Sequence, residues 1–556
     1  MPGTILENLS GRKLSILVAI LLVSQLGCFF VGLIAPKPAT SQAIIATTCL
    51  DNHTAAKNMN HWVGLDCQRI DLMKRQVEAA DDIVLVVQMP LYDLDFSRWQ
   101  QNLVGILQFD LIYHSGLNLE EFIVELTIDA RLAYSNKAER GGRTPWTYYA
   151  HSEEKRYMDC DIDVKTVRDP DGYPYNCSMV PLFELGSLYH DYYLLNLRLP
   201  YDEKLMKNVN LQTVQDVYLH MIHMNGGFTR IWVALKTFFF PVLIGIMIWF
   251  WRRVHMLSRT PALLEYMLIS LGGTLLFLDL PLEYLTLWFN MPYMLLLSDI
   301  RQGIFYAMLL SFWLVFAGEH MLIQDNGEKN SIKLYWKHLS TIVIGCLSLL
   351  VFDLCERGIQ LVNPFYSIWV TPIGTNLALS FIILAGISAS MYFIFLCYMI
   401  WRVFKNISIK RSVLPTMSQA RRLHYEGIIY RFNFLMLATV VCAAVTVVSF
   451  ILSQVAEGQN KWDENMEIEL SSALHTGVYG MWNFFFFFFF FFSHFYGMWN
   501  VYICAMLMLY APSHKQWPAE PICAEGEEVE FSRLPTDPSP NEISSLTSFA
   551  SKASIE

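Results

Sequence analysis

The stretch that decides the fold is residues 231–251, IWVALKTFFFPVLIGIMIWFW, which Arg252 and Arg253 follow at once. A helix needs about 20 apolar residues to cross the hydrocarbon core of a bilayer. This stretch has that length and is almost wholly apolar. It therefore predicts a membrane-spanning helix, and with it an integral membrane protein.

The composition of the whole chain agrees with that prediction. Of its 556 residues, 54% are hydrophobic and only 16% are charged, and the mean hydropathy is +0.33. A soluble globular chain usually carries about a quarter charged residues. The net charge is −10, and no basic stripe of the kind that binds nucleic acid is present. We therefore expect no nucleic-acid partner.

The first apolar run is Leu14–Ala35, which follows Arg12 and Lys13. We interpret it as an uncleaved signal anchor after a cytosolic N-terminus, residues 1–13. The alternative is a cleaved signal peptide. The run is longer than the roughly 7–15 apolar residues of such peptides, and Pro36 and Pro38 occupy the region of a cleavage site.

Seven further spans are predicted between residues 231 and 510, for eight in total. They lie near Ile231–Trp251, Leu263–Leu282, Gly303–Gly318, Leu339–Leu354, Leu377–Trp401, Phe434–Leu452 and a stretch ending near Tyr510.

The basic residues between the spans predict the orientation, because cytosolic loops carry an excess of Lys and Arg. The short loops on the far side contribute only Arg357 and Lys461. Both termini are thus expected in the cytosol. The tail, residues 511–556, is polar and rich in Ser and Pro, which predicts disorder. The loops assigned to the cytosol contain Arg252, Arg253, Arg259, Lys329, Lys333, Lys337, Arg402, Lys405, Lys410, Arg411, Arg421, Arg422 and Arg431.

Residues 37–230 form the one large polar segment and are expected on the lumenal side. Runs rich in β-branched and aromatic residues, with Gly, Pro, Asn and Asp between them, predict strands and an antiparallel β-sandwich. The predicted strands are Ile83–Leu91, Leu103–His114, Phe122–Tyr134 and Tyr189–Leu199.

Four cysteines lie in this segment: Cys49, Cys67, Cys160 and Cys177. An even number in an oxidising compartment predicts two disulfides. Of the three connectivities, we prefer the pairs that are adjacent in sequence. A zinc site is the alternative, although the chain offers no CxxC pair there. Asn52 begins a glycosylation sequon on the expected side.

The sequence shows no catalytic constellation and calls for no cofactor, so we expect no enzyme. His220 and His223 lie one helical turn apart if helical, and could share a metal. Two polar residues just outside a membrane are the simpler interpretation, because no carboxylate accompanies them.

Charged residues at membrane depth are costly and usually face a protein interior. Five stand out, and Asp353 and Arg357 are spaced to form a pair. The first interpretation is that they fix the packing of the helices or reach the membrane surface. The second is that they form a polar rim on a cavity inside the bundle. They are Asp279, Asp299, Arg301, Asp353 and Arg357.

Two further features lie near the C-terminus. Tyr425 and Ile428 have the spacing of a clathrin-adaptor signal, read as an extended peptide; the alternative is the start of the next helix. Phe484–Phe492 is a run of nine phenylalanines with Tyr-Gly-Met-Trp-Asn on both sides. We hypothesise that Phe484–Asn500 reflects a duplicated exon edge and intron sequence. A transcript that contains the run would disprove this.

Several long blocks give the chain a family resemblance over almost its whole length. It resembles the Wntless family, also called Evenness interrupted or Sprinter, and its N-terminus is similar to that of insect members. The blocks are Gly3–Ser15, Asp299–Trp313, Cys355–Gly358 with Asn363–Trp369, Arg421–Gly427 with Phe434–Leu437, Tyr496–Asn500 and Leu509–Lys515.

The resemblance implies eight spans, the last seven similar to a G-protein-coupled receptor, and a lumenal β-sandwich. It implies a carrier of palmitoleoylated Wnt proteins that is retrieved through clathrin adaptors and retromer, and it places Tyr425 on the family's endocytic motif. The C-terminus ends Ala-Ser-Ile-Glu, unlike vertebrate members, so return to the endoplasmic reticulum through that end is not expected. Candidates for lining a lipid cavity are Phe305, Tyr306, Phe312 and Trp313. The alternative for each of them is packing between helices.

Two other functions are alternatives for this sequence. A seven-helix signalling receptor would also place a ligand-binding domain before seven spans, but the chain lacks suitably placed Asp-Arg-Tyr or Asn-Pro-x-x-Tyr signatures. A transporter would favour internally repeated, broken helices. Gly272, Gly273 and Pro281 are suited to break one span, but no repeat accompanies them.

Overall fold

The computed structural model describes residues 5, 11–34, 36, 39–51, 61–69, 82–90, 95–113, 121–136, 144–162, 173–202, 204–205, 207–208, 213–256, 260–322, 335–413, 437 and 499–513. Predictions for Asn52, Tyr425, Ile428, the phenylalanine run and the tail after residue 513 lie outside these residues. The predicted span Phe434–Leu452 also lies outside them except for Leu437.

Seven apolar helices follow one another in the described part of the chain. Five of them are long and apolar enough to cross a membrane, each with an apolar window of 18 residues. The seven are α1 (Gly11–Ile34), α2 (Gly226–His255), α3 (Leu263–Asp279), α4 (Met294–Leu322), α5 (Trp336–Gln360), α6 (Pro372–Val413) and the shorter α7 (Trp499–Tyr510).

Helix α2 begins earlier than the predicted Ile231. Asn225 caps it, because the Asn225 side-chain oxygen accepts a hydrogen bond of 2.9 Å from the backbone N–H of Gly227. Such a cap satisfies one of the free N–H groups of the first turn. The membrane helix therefore follows the last strand directly, without a flexible linker.

Ten strands precede α2, and every pairing between them is antiparallel, as predicted. The order is β1-β10-β4-β7-β6-β5-β9-β3-β2, and β8 pairs with β4. The strands are β1 (Ala39–Ile45), β2 (Thr47–Leu50), β3 (Ile83–Met89), β4 (Leu103–Tyr113), β5 (Glu121–Ser135), β6 (Thr147–Ile162), β7 (Tyr173–Cys177), β8 (Val180–Leu185), β9 (Tyr192–Arg198) and β10 (Thr213–Met224).

The sheet is continuous, but its two halves share one core. Leu107 of β4 and Leu219 of β10 belong to the same buried cluster as Ile128 of β5 and Leu195 of β9. Short β7 joins the halves, because it pairs with β4 on one side and β6 on the other. The sheet therefore folds over into two layers; we call it the sandwich.

A second core holds the helices together. It contains Leu271 of α3, Phe312 of α4, Tyr392 of α6 and Leu507 of α7, all buried. Leu14 and Leu17 of α1 pack against this cluster. The first helix is thus part of the helical assembly, and we call the seven helices together the bundle.

Candidate functional site

A network of charges lies buried among the helices near the sandwich. The Lys236 ammonium of α2 is 2.5 Å from Glu283 Oε1, and the guanidinium of Arg301 on α4 is 3.3 Å from the same oxygen. The three side chains are 3%, 4% and 0% exposed. Burying an unpaired charge costs several kcal/mol, so each of these groups depends on the others.

Two of the predicted membrane-depth charges belong to this network. Arg301 also donates a hydrogen bond of 2.9 Å to the carbonyl of Leu280, at the end of α3. Asp279 lies one residue earlier and is fully buried. The network therefore joins α2, the end of α3 and the start of α4.

A second network reaches from the bundle into the sandwich. Arg357 of α5 lies 2.9 Å from Asp299 of α4 and 3.0 Å from Glu184 of β8. Asp353, one turn before Arg357, adds its negative charge to the same guanidinium. The spacing in the sequence predicted that Asp353 lies beside Arg357. It did not predict the contact with Glu184, which lies 173 residues from Arg357 in the chain.

The four aromatic candidates of α4 are packed against the bundle core. Phe305, Phe312 and Trp313 are at most 1% exposed, whereas Tyr306 is half-buried. The Trp313 indole N–H donates a hydrogen bond of 3.2 Å to the hydroxyl of Tyr502 on α7. In this structure the aromatic side chains mediate contact between α4 and α7.

Two loops of the bundle touch the sandwich. In the loop before α4, the carbonyl of Leu287 accepts a hydrogen bond of 2.7 Å from Arg98. The carbonyl of Trp288 accepts one of 3.2 Å from the Tyr189 hydroxyl. Between α5 and α6, Phe365 is buried in the sandwich core. The two parts of the protein are therefore joined at separate points.

The two histidines that could have shared a metal do not face each other. His220 and His223 lie on strand β10, so residues three apart face opposite sides of the sheet. His220 bonds Gln108 at 2.7 Å, and His223 bonds the carbonyl of Met224 at 3.1 Å. Within the described ranges, no group of three or more His, Cys, Asp or Glu residues is arranged to hold a metal ion.

The four cysteines of residues 37–230 form the two disulfides that the sequence analysis preferred. Cys49 is joined to Cys67 and Cys160 to Cys177, with Cα–Cα distances of 5.7 and 4.0 Å. The second disulfide joins β6 to β7 at a register pair. It therefore ties the two halves of the sheet together at their junction.

His190 lies where the sandwich meets the helices. Its ring stacks on Tyr134 with centroids 3.7 Å apart, and its Nδ1 lies 3.0 Å from the side-chain oxygen of Asn136. Burial, aided by the nearby Arg98 charge, lowers the pKa of His190 to about 4. The lowered pKa of His190 favours the neutral ring at neutral pH.

Sequence reasoning missed Lys236, Glu283 and Glu184. A signal existed for the first, because Lys236 is a single cation within an otherwise apolar span, and such a residue usually faces a partner. No comparable signal marks Glu184, which lies on a strand that the sequence analysis did not predict.

Comparison with known proteins identifies the two parts. A family model described as "Wntless, GOLD domain" matches residues 47–224, and one described as "Wntless-like, transmembrane domain" matches residues 225–493. Proteins named "Protein wntless" from Drosophila ananassae, Drosophila mojavensis and Drosophila virilis are 56%, 55% and 54% identical to this chain. Each alignment covers 100% of both chains. The chain belongs to the Wntless family.

Membership confirms the resemblance drawn from the sequence blocks. The two Wntless models meet between residues 224 and 225, where β10 ends at Met224 and Asn225 caps α2. The match to the GOLD domain thus covers strands β2 to β10 of the sandwich, and the match to the transmembrane domain begins at the cap of α2.

Proposed function

We propose that this protein is a cargo receptor that binds lipid-modified Wnt proteins in the secretory pathway and carries them to the cell surface. The main support for this proposal is that the chain belongs to the Wntless family and is similar to its members over its whole length. The architecture suits the task, because a folded sandwich is fixed on an apolar bundle. Neither part is proposed to be catalytic.

Such a carrier has to keep the lipid of its cargo out of water. A palmitoleate chain has about sixteen carbons, and hiding it from water is worth on the order of 10 kcal/mol, at about 0.8 kcal/mol per CH₂. We propose that the chain enters the bundle from the lumenal leaflet while the sandwich holds the protein part of Wnt. Phe305, Tyr306, Phe312 and Trp313 are the proposed lining.

The helices supply the elements that this proposal needs. Tyr306 is the most accessible of the four aromatic candidates, and the other three would have to separate from α7 to admit a chain. The membrane-depth charges are proposed to frame this region on its lumenal side. We further propose eight spans with a receptor-like arrangement of the last seven and both termini cytosolic.

Retrieval is proposed to follow delivery. Tyr425 and Ile428 are proposed to bind a clathrin adaptor, and retromer is proposed to return the protein from endosomes to the Golgi. The protein would then pass through the endoplasmic reticulum, Golgi, plasma membrane and endosomes. Asn52 is proposed to carry a glycan.

The test compares two cargoes. The protein is co-precipitated with wild-type Wnt and with Wnt whose acylated serine is replaced, and we expect recovery of the wild type only. Equal recovery of both would disprove the lipid cavity. Depleting the protein in Wnt-producing cells should retain Wnt inside them, whereas a defect confined to receiving cells would point to a signalling receptor.

A further inference from the structure

One loop of the bundle is built into the sandwich. We call residues 361–371, between α5 and α6, the clamp loop. Phe365 of this loop is 0% exposed and belongs to the sandwich core. Its ring makes an edge contact with Phe183, with centroids 6.1 Å apart. The carbonyl of Pro364 accepts a 2.9 Å hydrogen bond from the N–H of Glu184, so the loop continues the edge of β8.

A glycine in the sandwich, Gly105, allows the Phe183 ring to take the position against which Phe365 packs. A Cβ atom on Gly105 of β4 would lie 2.2 Å from the ring of Phe183. Only a residue without a side chain allows Phe183 to lie over β4 at that point. Phe183 can then form the wall against which Phe365 packs.

Arg156 of β6 holds the clamp loop through a hydrogen bond to its backbone. A guanidinium has five N–H donors in a fixed plane, and Arg156 has five acceptors. Four are in the sandwich: Glu154 and the carbonyls of Lys155, Pro181 and Leu182, at 2.9–3.5 Å. The fifth is the carbonyl of Phe365 at 2.5 Å.

The same contact continues towards the bundle through charged groups. The Asn363 side chain donates to Ser152 and to Glu154, both at 3.2 Å. Glu184, which bonds the clamp loop through its backbone, pairs through its carboxylate with Arg357 of α5, and Arg357 pairs with Asp299 of α4. An unbroken set of contacts therefore runs from β6 and β8 to the lumenal ends of α4 and α5.

We propose that Phe365 and Arg156 are positioning residues that fix the sandwich on the bundle, so that a ligand bound to the sandwich alters α4 and α5. The role of a Wnt cargo as that ligand rests on the proposed function, but the clamp itself does not. Packed cores and interfaces in general have discrete arrangements rather than continuous ones, which suits such a contact to transmit a change.

The clamp is tested first without cargo. Hydrogen–deuterium exchange is measured on the full chain in nanodiscs for the parent protein, Phe365→Ala and the control Phe289→Ala. Phe289 lies in the other lumenal loop and is 61% exposed. We expect Phe365→Ala to speed exchange in β8 and the clamp loop by a factor on the order of ten or more. Strand β3 and the control variant should not change.

Two further variants distinguish positioning from general loss of structure. Phe365→Leu keeps an apolar side chain and should restore most of the protection. Arg156→Lys keeps the charge but loses the planar donors, so it should loosen the clamp loop in the same way as Phe365→Ala. Unchanged exchange in Phe365→Ala, or a uniform increase over all ten strands, would overturn the proposal.

Transmission is tested by adding acylated Wnt. In the parent protein we expect binding to change exchange at residues 294–301 and 353–360, and in Phe365→Ala we expect that change to be lost. The same change in both proteins would refute transmission. Failure of the parent protein to bind Wnt would refute the proposed function, while the cargo-free measurement still decides the clamp.

Discussion

Replacing Lys236 by Met tests whether the buried network of Lys236, Glu283 and Arg301 depends on all three charges. Met is an unbranched side chain similar in length to the apolar stem of Lys. The variant therefore keeps the packing of that stem but removes the cation 2.5 Å from Glu283. Glu283 would then stay 4% exposed with Arg301 at 3.3 Å as its counter-charge. Removing one partner of a buried pair costs about 3–5 kcal/mol.

The expected loss lies at the lower end of that range, about 3 kcal/mol, because Arg301 still compensates part of the Glu283 charge. The measurement is thermal unfolding of the purified protein in detergent. A loss of that size corresponds to a fall of roughly 6–12 °C in the midpoint, taking 2–4 °C per kcal/mol.

The double variant Lys236→Met with Glu283→Gln, compared with each single variant, tests whether the two residues stabilise the protein through their mutual contact. Since both changes break the same contact between Lys236 and Glu283, the double variant should lose less stability than the sum of the losses of the two single variants. A matched control is Lys155→Met, because Lys155 is 62% exposed in its pair with Glu125 and such pairs contribute little. A Lys236→Met protein that melts with the parent, or losses of the single variants that simply add in the double variant, would refute the reasoning.

Three other outcomes are expected. Gly105→Val should push the Phe183 ring out of place and destabilise the sandwich by about 1–3 kcal/mol, seen as a lower thermal midpoint; an unchanged midpoint would contradict the close approach. The parent protein should lose stability as pH falls from about 6.5 to about 4. The reason is that His190 takes up a proton at its ordinary pKa in the unfolded chain, whereas the folded ring, with its lowered pKa, does not. His190→Gln should make the stability less dependent on pH, and an equal slope in both proteins would contradict the role of His190. Tyr425→Ala should leave the protein at the cell surface, measured as antibody uptake in living cells, and uptake equal to that of the parent would exclude the endocytic signal.

Strands with a strong apolar pattern could be predicted, and polar ones could not. Strand β3 reads IVLVVQM, and its predicted start at Ile83 agrees with the structure. Strand β6 reads TYYAHSEEKRYMDCDI, in which exposed residues such as Tyr157 alternate with buried ones such as Arg156 and Met158. Because a buried arginine looks like a surface residue in sequence, that strand was missed, and with it the anchor of the clamp loop.

The spans were predicted more easily than the contacts between them. Hydropathy indicates which segments of a chain are apolar enough to leave water, and each of the helices α2 to α6 overlaps a predicted span. The ends were predicted less well, since α4 begins at Met294 instead of Gly303 and α6 ends at Val413 instead of Trp401. Hydropathy does not report which helix faces which, so the partner of Lys236 was missed although its span was predicted. The pairing of Arg357 with Glu184 depends on how the sandwich sits on the bundle, which no local pattern records.

A single hydrogen bond near the chain ends constrains how many times the protein crosses its membrane. The backbone N–H of Ile5 donates to the carbonyl of Ala511 at 2.9 Å. Two atoms so close lie on the same face of a bilayer, so the number of crossings between them is even. Seven described apolar helices that each crossed once would give an odd number, so the hydrogen bond agrees with the proposed eighth span at Phe434–Leu452. Two halves of a split reporter fused to the two termini should then reassemble in the same compartment.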